Sequence, residues 1–330
     1  MGERLYVDVT ADIPLYQSGL SIMNELLSFQ SVRQLISDEE IPARLLHYPE
    51  EVVQAVYRYG APVGSIIHHF PQAERLMPFA RQRINEYEAR GQSCPSGMVF
   101  LADELTGGRG RFQRSWHAPS GGLWMTLVMA NTLLPESMRL YPLAAGMACC
   151  EAIRSYGIDA HLKWVNDVHA AGRKICGVLC ESFTSAEFGE EYVLIGVGIN
   201  INNLAFPTEL GTTAISMKEI LGCDTELADF ATRLLAKFSW SFGLLCHDEA
   251  SRLAADDGSG ADLPESLLLA AWREMSDTVG RQVWFGFDVQ QQPQYRAEVL
   301  GLSSDGGIIL RHLESGAEIV EHSGELLYID

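Results

Sequence analysis

An α+β fold, a mixed β-sheet with helices packed on one face and a small closed or partly closed C-terminal β-barrel, is predicted by three observations. Strand-like apolar runs outnumber helical ones through the middle of the chain and do not alternate with helices as βαβ units would. Two amphipathic helical segments follow them. The last fifty residues then hold five short strand patterns separated by turn residues.

The elements follow in order. LYVDV reads as a strand, and SIMNELLSFQSVRQLI and PEEVVQAVYRYG place apolar residues at helical spacing. Pro78 suits a first helical turn, so FARQRINEYEARG predicts a helix ended by Gly91. GMVFLADE is a buried strand that runs into the stretch GGRGRFQRSW. GLWMTLVMA is a second apolar strand, and YPLAAGMACCEAIRSYG an apolar helix stopped by Gly157. HLKWVNDV and KICGVLCESF predict a hairpin joined by the polar HAAGR turn, and EYVLIGVGININ another buried strand. ELADFATRLLAKFSWSFGLLC and LPESLLLAAWREMS are helices on either side of the loop AADDGSGADLP. VWFGFDV, YRAEVLGLS, GIILRHL, AEIVEHS and ELLYID, with turns at SSDGG and ESGA, supply the barrel strands. Three units are expected: an extension over 1–65, a central domain over 66–275 and a small domain over 278–330.

Composition narrows the functions. A chain of 330 residues with 47% hydrophobic side chains can bury a large core. Its net charge of −19 repels a phosphate backbone, and residues 1–65 hold nine acids against four arginines, so a DNA-binding role is not expected. No N-terminal leader pattern and no run of eighteen apolar residues is present, which predicts a cytoplasmic protein without a membrane span. The seven cysteines fit neither a zinc-site spacing nor a disulfide framework and are expected as reduced, mostly buried thiols.

The cations are unevenly placed. Only four lysines occur, none before Lys163, and Lys163 and Lys174 share the segment KWVNDVHAAGRKICG. Lysine kept in an arginine-preferring chain suggests a point-charge role. GGRGRFQRSW, residues 107–116, joins three arginines to three glycines. Glycines at a strand end can expose backbone N–H groups in a concave nest, and arginines add bidentate donors for carboxylate or phosphate. Neither GxxxxGK[ST] nor a helix-opening GxGxxG is present. Asp167 and Asn200, at strand ends, are oxygen donors suited to a hydrated Mg²⁺ on phosphates, or turn residues capping their own backbone.

The ordered series ADELTGGRGRFQRSW, GGLWMTL, KWVND, GRKICGVLCE and VLIGVGININ resembles the catalytic domain of biotin protein ligases, with their GRGR loop, KWPND, RKxxG and GxGIN motifs. The likeness covers residues 66–275, and the terminal barrel resembles that family's small C-terminal domain. It implies a class II aminoacyl-tRNA-synthetase/biotin-ligase-like domain with an SH3-like barrel. The implied activity is adenylation of biotin by ATP and Mg²⁺, then transfer of the biotinyl group to a lysine of a carboxylase or carrier domain.

By position, the resemblance makes Lys174 and Arg111 catalytic. Gly108, Arg109, Gly110 and Arg111 would form the loop over the adenylate, with Leu105, Thr106, Lys174 and Gly177 also lining the acid site. Arg111, Arg114, Trp116, Lys163 and Asn200 would bind ATP, the Trp116 indole walling the adenine, and Asp167 and Asn200 would hold Mg²⁺. Three departures stand out, the first two at positions that contact the acid's ureido ring in the family. Residues 66–92 contain no Ser or Thr where the family carries Ser-Thr-Asn, Leu105 stands at a usual glutamine, and Val165 and Gln113 replace the family's proline and glycine. A ligase for another acid of lipoate or octanoate type, or a non-catalytic binding protein of the same fold, are the alternatives. Residues 1–65 do not match the basic winged helix of some relatives, and a homodimer paired through a sheet edge is expected.

Overall fold

A computed structural model describes residues 27–204, 206–255 and 265–329, with Gln113 described in its backbone only. LYVDV and most of AADDGSGADLP lie outside the described residues.

The described residues open with α1 (Phe29–Leu35), continued by a π turn (Ile36–Glu40) and a short helix (Ile41–Arg44), then α2 (Glu50–Tyr59). Next come β1 (Ile66–Phe70), α3 (Leu76–Glu88), β2 (Met98–Ala102), β3 (Leu123–Ala130) and α4 (Tyr141–Arg154). β4 (Ala160–Lys163), β5 (Asp167–Ala170), β6 (Arg173–Thr184) and β7 (Glu191–Ile199) complete one sheet, and α5 (Leu227–Ala255) and α6 (Leu267–Met275) cover it. The expected single strand HLKWVNDV is two strands, because residues 164–166 form a turn that folds β5 back on β4.

The seven-stranded sheet runs β1-β2-β3-β7-β6-β5-β4, parallel only between β1 and β2. Side chains alternate across it. Val99, Leu101, Leu127, Met129, Val193 and Ile195 enter the large core beneath α4 and α5. Met98, Phe100, Ala102, Val128 and Leu194 face the other way and pack under α3 through Leu76, Ala80 and Ile84. Most helices therefore share one face, as expected, while α3 crosses to the other and covers part of it. The uncovered remainder of that face is where the cavity described below lies.

The N-terminal helices belong to this core. Arg44 forks onto Glu151 of α4 (Nη1–Oε1 2.8 Å) and stacks over Trp240 of α5 at 4.4 Å, and Lys237 meets Glu40 at 2.8 Å. These charges are largely buried, so each needs its partner.

The C-terminal strands β8 (Gln282–Gly286), β9 (Tyr295–Leu302), β10 (Ile308–His312), β11 (Glu318–Glu321) and β12 (Glu325–Tyr328) form an antiparallel sheet ordered β11-β10-β9-β8-β12. All five expected strands are present. Val283, Phe285, Ala297, Val299, Ile308, Leu310 and Leu326 fill its inner side. The Trp164 indole donates to the Gly306 carbonyl (3.1 Å), and Ser276 Oγ to the Leu162 carbonyl (2.9 Å), so this layer docks on the β4–β5 end of the large sheet.

Candidate active site

A cavity of about 870 Å³ opens on the face of the large sheet that α3 leaves uncovered. Its floor is built from three strand glycines. Gly177 of β6 stands opposite Gly198 of β7, and Gly196 lies two residues along. A Cβ at Gly198 would fall 2.5 Å from Trp116 Nε1, one at Gly177 would fall 3.0 Å from Trp116 Cζ3, and one at Gly196 would fall 2.8 Å from the Met77 methyl. Gly177, expected to let substrate approach the strand, lies against the edge of the Trp116 indole and still lines the cavity. The indole N–H is buried with no hydrogen-bond partner.

Lys174 and Asp167 meet above this floor. The β5–β6 register sets Asp167 opposite Gly177, and a bulge after Val168 brings Lys174 opposite His169. Lys174 Nζ lies 2.7 Å from Asp167 Oδ1 and 5.2 Å from the Trp116 ring centroid. Burial pushes the Asp167 carboxyl up, but the Lys174 charge and hydrogen bond, with His169 and Lys163 behind them, outweigh it and hold the carboxyl below its ordinary range. Burial lowers Lys163, partly offset by Asp167, and its ammonium sits 4.6 Å over the Tyr328 ring. Burial, then Lys163, pushes His169 down to about 4, so this cavity-lining imidazole is neutral at pH 7.

The glycine-arginine loop is a small hairpin, not an open nest. The Gly110 N–H donates to the Arg114 carbonyl (2.9 Å), Trp116 N–H to Gly108 (2.9 Å) and Gly107 N–H to Glu74 (3.0 Å). Phe112 at its tip has φ +54° and is exposed. Arg111 donates to Asn166 Oδ1 (3.2 Å) and to the Gly324 carbonyl (3.1 Å), while Arg114 pairs with Glu325 (3.1 Å) and Asp288 (3.2 Å). Two of the three arginines thus bridge the loop to the C-terminal layer. Arg109 pairs by backbone with Ser115 and is among the residues lining the cavity.

Most of the residues expected at a site do converge. Leu105, Gly108, Arg109, Gly110, Arg111, Arg114, Trp116, Lys163, Asp167, Lys174, Gly177 and Asn200 all line the cavity. Thr106 does not; it is exposed, and its backbone N–H is fixed to the Ala73 carbonyl (3.0 Å). Asn200 is buried, with its amide oxygen accepting from Asn203 Nδ2 (3.1 Å), and no three His, Cys, Asp or Glu side chains cluster for a metal among the described residues.

The two sheets, the loop and the motif residues meet in one place, and much of this stretch resembles known proteins. Residues 78–200 match the family model described as biotin/lipoate A/B protein ligase. This segment of the chain resembles that family. It is 29% identical over 199 residues to the bifunctional ligase/repressor BirA of Bacillus spizizenii, covering 59% of this chain and 60% of the relative. It is 36% identical over 148 residues to biotin–protein ligase 2 of Arabidopsis thaliana, covering 41% and 43%. The chain therefore spans less than two thirds of these relatives' length. Among solved structures, biotin protein ligase from Aquifex aeolicus in complex with biotin and ATP aligns with TM-score 0.61 at 22% identity, covering 80% of this chain and 99% of that one. That likeness establishes the ligase fold.

Several residues line the cavity beyond those expected from the sequence. Asn166, beside the chosen Asp167, donates to the Val178 carbonyl and accepts from Arg111, and the KWVND motif itself was the signal. Arg75, Met77, Arg81 and Glu181 close one end, and Val289, Gln290, Gly324 and Glu325 reach in from the C-terminal layer. These carry no local signal, because their partners are distant in sequence.

Proposed function

We propose that this chain adenylates biotin with ATP and passes the biotinyl group to a lysine of a carboxylase carrier domain. The observation that carries the reading is the Lys174–Asp167 pair, 2.7 Å apart in a cavity that also gathers Lys163, Arg109, Arg111 and Arg114 from an acidic chain. A biotin carboxylate oxygen attacking the α-phosphorus forms an O–P bond as the bond to pyrophosphate breaks. Two anions must approach, so preorganised cations lower the barrier. In the second step the acceptor's neutral amine attacks the acyl carbon, AMP leaves, and the amine's proton goes to water. The protein's part there is to hold the two reactants together.

A single carboxylate and an amide oxygen, Asp167 and Asn200, suit an Mg²⁺ that keeps its waters and arrives on phosphates. Such an ion would add positive charge to the triphosphate. Trp116 supports an adenine wall in this reading, and Leu105, Gly108, Gly110 and Gly177 line the acid path.

A second reading, a lipoate- or octanoate-type acid, draws on Leu76, Met77, Leu105 and Leu179, apolar groups lining the same cavity. ATP–pyrophosphate exchange over a panel of acids separates the two. Exchange with biotin supports the first, exchange only with another acid supports the second, and none with any acid leaves a non-catalytic binding protein.

The wider reading divides the chain at 1–65, 66–275 and 278–330. It includes a biotin-accepting carrier as partner, a homodimer through the sheet edge at β1, and no DNA, given the acidic N-terminal segment. It places the protein in the cytoplasm. No helix among the described residues is long and apolar enough to cross a membrane.

A further inference from the structure

The end of the cavity away from Lys174 holds a charged pair that joins Glu181, the last residue of GRKICGVLCE, to Arg81, which lies outside every quoted motif. Arg81 of α3 and Glu181 of β6 are hydrogen-bonded to each other, and both line the cavity. Gly177, Leu179 and Glu181 share one face of β6, so Glu181 stands about 13 Å along the strand from Gly177, where the Lys174 ammonium lies, the scale of a pentanoic chain carrying a two-ring head. Between the two ends the walls are Met77 over Gly196, with Leu179 beside it and the Thr126 hydroxyl opposite Gly196.

The pair is not there to hold the fold. Its side chains are 38% and 40% exposed, and an ion pair that wet contributes little to stability. The Arg81 guanidinium also lies 5.3 Å over the Phe183 ring, which fixes its approach. A guanidinium offers only donors and a carboxylate only acceptors. Side by side they present the complement of a cyclic urea, whose carbonyl accepts and whose two N–H groups donate. Residues 66–92 contain no Ser or Thr that could do this instead, and Arg75, also on the wall, adds a donor without an acceptor.

We propose that Arg81 and Glu181 are the specificity-determining residues at the tail of the acid pocket, reading a urea-type head group by paired donor and acceptor. This rests on the acid-activating function above and names how that site would tell biotin from a ring-bearing acid with the same chain but no urea.

The test is calorimetric titration, without ATP, of wild type, Glu181→Gln and Arg81→Met with biotin and with lipoate, alongside circular dichroism. Loss of one polar partner lowers the biotin-to-lipoate affinity ratio about tenfold in each variant. Glu181→Asp, which keeps the acceptor, retains most of the ratio. An unchanged ratio in both loss variants overturns this proposal while leaving acid activation standing, as does a wild type that binds lipoate and not biotin. A wild type that binds neither acid overturns both.

Discussion

Lys174 Nζ lies 2.7 Å from Asp167 Oδ1, across a hairpin whose bulge is what brings the two strands' side chains together. An incoming carboxylate or phosphate would meet a lysine already held in place by its neighbour. Lys174→Ala should reduce ATP–pyrophosphate exchange by about 10²–10³ or more, the scale of losing one charge-stabilising group, with the circular dichroism spectrum unchanged. Wild-type exchange in that variant would remove the role assigned to Lys174.

Trp116 and the strand glycines should behave as one unit. Gly198→Ala puts a methyl where the indole sits, and overpacking of this kind costs about 1–3 kcal/mol. The expected result is a lower melting temperature and a shifted tryptophan emission, with the thermal loss reduced when Trp116→Ala is added. Equal losses in the presence and absence of Trp116 would show that the indole does not occupy that space.

The arginine loop is tied to the C-terminal layer by Arg114 with Glu325 and Asp288. Arg114→Glu should speed proteolysis between residues 107 and 116, and Arg114→Glu with Glu325→Arg should restore resistance. The partly exposed pair contributes about 0.5–1 kcal/mol, so the effect should shrink in high salt. Salt-independent cleavage would contradict an ionic tether.

Acid should weaken the fold through His169. Its pKa in the folded protein, about 4, lies below the ordinary 6.5, so between those values the unfolded chain binds more protons and stability falls as pH drops. Asp167 acts in the same direction at lower pH, because its depressed carboxyl stabilises the fold above its ordinary range and loses that contribution on acidification. His169→Gln should flatten the melting-temperature slope between pH 6.5 and 4; an unchanged slope would place the titration elsewhere.

Local pattern was enough to find the strands and most of the cavity floor, because alternation in GLWMTLVMA and EYVLIGVGIN reports which faces are buried. The glycines were visible but their neighbour was not: nothing in RKICG says that an indole some sixty residues earlier lies against Gly177. The same applies to Arg114, whose partner Glu325 is 211 positions away, and to Arg81 with Glu181. KWVND read as strand because its residues are apolar enough for one, yet residues 164–166 turn so that β5 can pair back on β4. The position of α3 on the far side of the sheet was equally hidden, since an amphipathic helix does not disclose which face it covers.

Native mass spectrometry of the protein after incubation with ATP, Mg²⁺ and biotin tests the central claim most directly. The account expects one biotinyl-5′-AMP retained per chain in wild type, with pyrophosphate released, and none in Lys174→Ala. Wild-type protein that carries only unreacted ATP or biotin, with no adenylate formed, would contradict it.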